Sequence, residues 1–246
     1  MTKLLKLGTT ILATFALVAC GESGGSGQGN ESLEINQEQA EAKMEQLAET
    51  DGFYLKFQYT SQSDDEAAES HTMYYGYKGN IFWLGDGDSF DVAVKMSDTQ
   101  YDYYSKEDGA WTYQSSMSKA QAEEYGLEKG YKTLATNWFY WGNTYDGQLK
   151  KGKDTTIAGR KCYTYTYDYS ASAELQAYAA LLGGDASVSV KYEIAVDKEL
   201  GITMKLEIAG QADNESGTFS FEVLEFKTGS QVQVPTLPAP VQQNAD

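Results

Sequence analysis

Ile157-Ala158-Gly159-Arg160-Lys161-Cys162-Tyr163-Thr164-Tyr165-Thr166-Tyr167-Asp168-Tyr169 is the stretch from which the fold is read. A two-residue turn, Ala158-Gly159, is followed by tyrosines at every second position, 163 to 169, with mainly polar residues between them. Strand side chains alternate from face to face, so this pattern predicts a half-buried strand over Arg160–Tyr169 with one aromatic face. The same period appears upstream in Phe53, Leu55, Phe57 and Tyr59. It returns downstream in Ser187–Val196, Ile202–Ile208 and Thr218–Lys227, joined at Asp197–Gly201 and Asp213–Gly217. Between these blocks, turn residues arrive at short intervals. Lys78-Gly79-Asn80 separates Met73–Tyr77 from Ile81–Leu84. Asp86-Gly87-Asp88 separates that run from Phe90–Met96, and Asp108-Gly109 separates Tyr101–Ser105 from Ala110–Gln114. These are antiparallel hairpins. Thr144–Leu149 and Thr155–Ile157 read as shorter strands.

A few helices interrupt the strands. Asn36 with Gln39 three positions later is a capping box, and Ala40, Met44 and Leu47 supply the apolar face. Ser118 with Gln121 repeats the signature and opens a short helix to about Tyr125. Leu134, Trp138 and Trp141 at i, i+4 and i+7 suit a short aromatic helix, with a strand as the alternative. Ser170 or Ser172 caps a helix over Ala173–Leu182 that Gly183-Gly184 stops. The fold class expected is α+β, mainly antiparallel β, in one domain over residues 33–234. A loose tail is expected from Pro235 to Asp246.

The N-terminus is of another kind. Lys3 and Lys6 precede an apolar run, Leu7–Val18, too short to span a bilayer, which is the layout of a secretory signal over residues 1–19. The run ends in Leu17-Val18-Ala19-Cys20, which resembles the lipobox of bacterial lipoproteins. That resemblance implies cleavage before Cys20 and lipidation of its thiol, hence an extracytoplasmic protein anchored at a membrane surface. Residues 20–32 are rich in glycine and serine and read as a flexible tether reaching on the order of 15–20 Å.

The formal charge is −17, and removal of Lys3 and Lys6 with the signal takes it to about −19. So acidic a chain repels phosphate backbones and anionic headgroups, which argues against nucleic-acid partners and leaves membrane attachment to the lipid. Apart from Cys20 the one cysteine is Cys162, so no internal disulfide is expected and stability must come from packing. Nineteen Tyr, nine Phe and four Trp recur in alternating strings.

The order of elements, with the strings Ile157-Ala158-Gly159-Arg160-Lys161-Cys162-Tyr163, Val196-Asp197-Lys198-Glu199-Leu200-Gly201 and Val223-Leu224-Glu225-Phe226-Lys227-Thr228-Gly229, resembles the LolA/LolB-like superfamily of lipoprotein-localisation factors. The resemblance covers about residues 33 to 237. It implies a curved half-barrel sheet with helices covering its concave face around an apolar cavity. Members carry lipoprotein acyl chains, glycolipids or acylglycerols. No ligand residue transfers by motif, and the tyrosine content suits an amphiphile or a sugar better than a bare acyl chain.

Candidate ligand contacts are Trp83, Trp138, Trp141 and Tyr178, which lie on or beside segments expected to cover the concave side. Each aromatic residue also has a plain reading as core. The function expected is binding or carriage of a lipid-like ligand, with a carbohydrate or cell-wall module and a ligand-free envelope interaction protein as alternatives. No catalytic residues, metal or cofactor are expected. His71 is the one histidine, and neither a metalloprotease motif nor a nucleophile elbow is present. Asp86, Asp88 and Asp91 offer oxygen ligands, but lack the glycine at position six and the distal glutamate of a calcium loop, so a hairpin turn is the better reading. Replacing Cys20 with alanine should abolish incorporation of a palmitate analogue in metabolic labelling. Label retained by the variant would refute the anchor.

Overall fold

The computed structural model describes residues 33–64, 67–124, 149–168, 188–212 and 215–240. Two helices, α1 (Gln37–Thr50) and α2 (Lys119–Glu124), and twelve strands occupy them. The strands are β1 (Phe53–Ser63), β2 (Glu69–Lys78), β3 (Ile81–Gly85), β4 (Asp91–Met96), β5 (Gln100–Glu107), β6 (Ala110–Ser118), β7 (Lys150–Lys151), β8 (Thr155–Ile157), β9 (Arg160–Asp168), β10 (Val188–Asp197), β11 (Thr203–Ala212) and β12 (Glu215–Thr228). They form one open sheet in the order β6-β5-β4-β3-β2-β1-β12-β11-β10-β9-β7, with β8 pairing β9. The mainly antiparallel α+β class read from the alternation is the one observed.

The described chain falls into two compact units. One comprises residues 33–40, 58–64, 67–70, 149–168, 188–212 and 215–222; the other comprises 41–57, 71–124 and 223–240. β1, β2 and β12 contribute residues to both.

Local chemistry accounts for the element ends. The Asn36 amide donates to Gln39 Oε1 at 3.0 Å and the Gln39 amide donates back to Asn36 Oδ1 at 2.9 Å, the reciprocal cap that starts α1. Ser118 and Gln121 make the same exchange before α2. In α1, Ala40 and Met44 are buried, four residues apart on one face.

Turns follow the residue types. Asp108 and Gly109 have φ of 50° and 80°, the two positive values a type I′ hairpin needs. Asp86, expected in a hairpin, organises one: its Oδ1 accepts from the amides of Asp88, Ser89 and Phe90. A bond from the Ser89 hydroxyl, and then those from the amides, hold its carboxyl well below the usual carboxylate range, so Asp86 serves the turn.

Three differences from the expectations have physical reasons. β2 begins at Glu69, ahead of the expected start at Met73, so the strand includes His71. The added residues are polar and pair with polar neighbours, as in the 2.8 Å bond between Thr60 Oγ1 and Ser70 Oγ, so hydropathy does not register them. Leu149 is buried but outside a strand, and the ladder beside β9 is made by Lys150 and Lys151. The segment after Pro235 has no regular structure through Pro240, yet Leu237 packs onto a core cluster. The expected elements at 134–141, 144–148 and 173–182 lie outside the described residues.

That last contact changes the architecture of the second unit. Neighbouring residues on a strand face opposite ways, yet Phe82 and Trp83 are 1% and 3% exposed, and Ala93 and Val94 are both buried. This part of the sheet is therefore covered on both sides. Phe53 stacks on Tyr75, with ring centroids 5.6 Å apart, and Tyr75 meets Phe82, all on one face. On the other face Trp83, Ala93 and Tyr104 pack with Val232 from the C-terminal segment.

Ala158 sits at φ 48° in the turn opening β9. An L-residue with a Cβ pays about 1 kcal/mol there, a conformation asparagine visits more readily. Ala158→Asn should raise the melting temperature by about 2–4 °C, read by circular dichroism.

Candidate functional site: a tyrosine-rich apolar sheet face

In the first unit, register places alternating residues of four strands into rows. Tyr165, Ile194, Leu206 and Phe221 face one another across β9, β10, β11 and β12. Tyr167, Tyr192, Ile208 and Phe219 form the next row. All but Phe219 are buried. Tyr167 and Tyr192 have ring centroids 6.0 Å apart. The face is thus an apolar field in which Ile194, Leu206 and Ile208 are flanked by phenylalanines on β12 and by tyrosines on β9 and β10, whose rings are apolar and whose hydroxyls bring hydrogen-bonding capacity.

The opposite face of the same strands is polar. Thr166, Glu193 and Glu207 align there, and with Lys150, Asp168 and Lys191 they border a cleft of about 330 Å³. Both charge signs are present, so the cleft has no strong preference for a charged ligand.

Two devices hold the β9 edge. Arg160 donates from Nε and Nη2 to the Asp197 carboxylate at 2.5 and 2.9 Å, and Asp197 is 1% exposed. The same carboxylate accepts from the Glu199 and Leu200 amides at 2.9 and 2.7 Å. Asp197 therefore links the start of β9 to the turn between β10 and β11. Gly201, at φ 76°, completes that turn, and a Cβ there would lie 2.5 Å from Ile35, so the approach to α1 packs directly on it.

The second device is exposed. Lys151 and Lys198 place their ammonium groups 4.0 and 4.1 Å from the Tyr163 ring centroid. Lys151 also donates to Glu34 at 2.5 Å. The bond from Lys151, and then one from the Tyr163 hydroxyl, hold the Glu34 carboxyl below its ordinary range. The bond to Glu34 pushes the Tyr163 phenol up. Sequence reading missed this rim, because Glu34 and Lys198 carry no motif and meet only through the fold.

Of the expected ligand contacts, Trp83 is 3% exposed and lies on the face under Val232, opposite Phe82. Its indole covers Gly76, where a Cβ would approach the ring to 2.2 Å. Trp138, Trp141, Tyr178 and the lipidation candidate Cys20 lie outside the described residues. Cys162 is fully buried, and burial, followed by the nearby Asp197 charge, pushes its thiol up to about 11. It stays protonated, and the stability so gained is full below the ordinary thiol range and falls as pH rises through 11. Such a thiol is a poor nucleophile. Among the described residues no group of three His, Cys, Asp or Glu side chains is placed to hold a metal ion. No described helix is long and apolar enough to cross a membrane.

No family model and no curated protein matches the chain in sequence. Among solved structures, the chain is similar to LprF from Mycobacterium bovis, with 11% identity, a TM-score of 0.34, and coverage of 85% of this chain and 99% of that one. A DUF1329 family protein from Desulfovibrio piger has 8% identity and a TM-score of 0.26, covering 80% and 93%. LolA superfamily protein NE2245 from Nitrosomonas europaea has 11% identity and a TM-score of 0.21, covering 81% and 95%. The fold described above stands on this chain's own strand order and register.

Arg160→Ala leaves the buried Asp197 carboxylate without its cation. Removing one partner of a buried pair costs about 3 kcal/mol, so chemical denaturation should show a loss of that order.

Proposed function

We propose that this chain is a lipid-anchored, extracytoplasmic, non-enzymatic protein that binds or carries a lipid-like amphiphile. The observation that carries the reading is the continuous apolar face of β9–β12 with tyrosines along one side. Apolar rows of this kind take an acyl chain through area burial, at roughly 25 cal/mol per Å². Tyrosine hydroxyls suit the polar end of an amphiphile. The lipobox-like string ending at Cys20 and the tether behind it would hold the domain beside the membrane, at tether length. The strongly negative charge disfavours nucleic acid as a partner.

In this reading Trp138, Trp141 and Tyr178 are carried forward as the ligand contacts. The carbohydrate-platform alternative needs exposed aromatic planes, which Trp83, at 3% exposed, does not offer.

The test uses the chain with Cys20 replaced by serine and a fluorescent fatty-acid probe. Saturable binding with a change in tryptophan emission is expected. Trp138→Ala with Trp141→Ala should weaken it at least about tenfold, since a lost aromatic contact costs about 1–3 kcal/mol and one decade is about 1.4. Circular dichroism must show both proteins folded. Failure to bind the probe, with retention on a peptidoglycan column, would replace the carrier reading with the wall-binding one.

A further inference from the structure

The C-terminal segment Val232-Gln233-Val234-Pro235-Thr236-Leu237-Pro238-Ala239-Pro240 has three prolines, two of them in a Pro-x-x-Pro spacing. It forms neither helix nor strand. Proline fixes φ near −65° and biases the residue before it toward extended backbone. Such a segment tends to polyproline II, which has no internal hydrogen bonds and leaves its carbonyls available to a partner.

The second unit meets the segment with the corresponding chemistry. Val232 is 4% exposed among Trp83, Ala93 and Tyr104. Leu237, half-buried, packs on the same cluster, whose margin includes Trp111 and Tyr113. Gln233, Val234 and Thr236 are exposed, so the contact is made through spaced anchors. The Lys78 ammonium donates to the carbonyls of Gly229 and Val232 at 2.6 and 3.4 Å, holding the entry to the segment by its main chain. Aromatic rings for spaced apolar anchors and a donor for free carbonyls are the elements by which proline-rich peptides are recognised. One group is unmet: the Tyr104 hydroxyl is buried in this cluster with no hydrogen-bond partner among the described residues. The chain's own segment therefore leaves part of the site's binding capacity unused.

We propose that this aromatic groove is a binding site for extended, proline-bearing apolar peptides, occupied in cis by residues 232–237 and open to a partner peptide of the same chemistry in their place. A tethered segment competes at an effective concentration in the millimolar range, so the cis occupant acts as a gate. A partner carbonyl placed to accept from Tyr104 makes a hydrogen bond that the cis segment does not. The site is independent of the lipid reading, since it is built from residues of the second unit and the apolar face of β9–β12 from residues of the first.

The experiment uses the full chain with Cys20→Ser and a fluorescein-labelled peptide of residues 231–240, read by anisotropy. Val232→Ala with Leu237→Ala weakens the cis competitor, so that chain should bind the peptide saturably and about tenfold or more tighter than the chain with its segment intact. A peptide with both Pro235 and Pro238 changed to alanine should bind about tenfold more weakly than the native one. If the double variant loses its circular dichroism spectrum, Leu237→Ala alone, at the half-buried anchor, carries the same comparison. Equal titration of altered and intact chains, no saturable binding to either, or equal binding of the alanine peptide would each overturn the proposal and leave the segment a fixed part of the core.

Discussion

The carboxylate of Asp197 is the point on which the first unit is organised. It accepts two bonds from the Arg160 guanidinium and two from the amides of Glu199 and Leu200. Its own amide donates to the Ile202 carbonyl at 2.8 Å, and its carbonyl accepts from Gly201 at 2.9 Å. A buried carboxylate is tolerated only when its oxygens are satisfied, and here four donors do so. The register of β9 against β10, with Cys162 opposite Asp197, is pinned at this end. A one-residue slip would turn Tyr165 and Tyr167 to the opposite face and destroy the apolar rows. The turn so fixed also presents Gly201 to Ile35, which places the start of α1.

The two faces of β9–β12 divide their tasks by alternation. One collects Tyr165, Ile194, Leu206 and Phe221 out of water; the other carries Thr166, Glu193 and Glu207 beside the charged cleft. Replacing some of an aliphatic lining with tyrosine leaves most of the apolar area in place and adds oriented hydroxyls. That combination suits a molecule with both an apolar body and a polar end. Electrostatics contribute little, because the exposed pairs of Lys151 with Glu34 and Lys198 with Asp154 are of the surface kind that adds small stability.

The second unit solves a different problem. Its sheet has large apolar residues on both sides, and a sheet with two apolar faces needs two covers. Val232 and Leu237 supply one of them on the Trp83 side. Gly76 makes room for the indole, since any side chain at that position would collide with it. The strap is held by side-chain anchors and by Lys78, with no ladder of main-chain bonds of its own.

Period-two alternation made the strands legible from the residues alone, because a strand's pleat leaves a direct imprint on hydropathy. The turns were legible because Asp108-Gly109 and Gly79 supply conformations few other residues adopt, and both helix starts because their capping partners lie three positions apart. In each case cause and effect lie within a few residues. The polar start of β2 left no imprint, since Thr60 and Ser70 satisfy each other with no apolar signal. The meaning of Trp83 was also hidden. From the residues it reads as a candidate ligand contact or as core, and which face it serves depends on Val232, far along the chain. Arg160 and Asp197 likewise show only as turn residues until the register brings them together. The chain's local chemistry thus determined which segments are strands, helices and turns, while the tertiary structure alone decided which charges are buried in partnership and which sheet face needs a second cover, because both depend on contacts between segments whose spacing in the chain carries no signal.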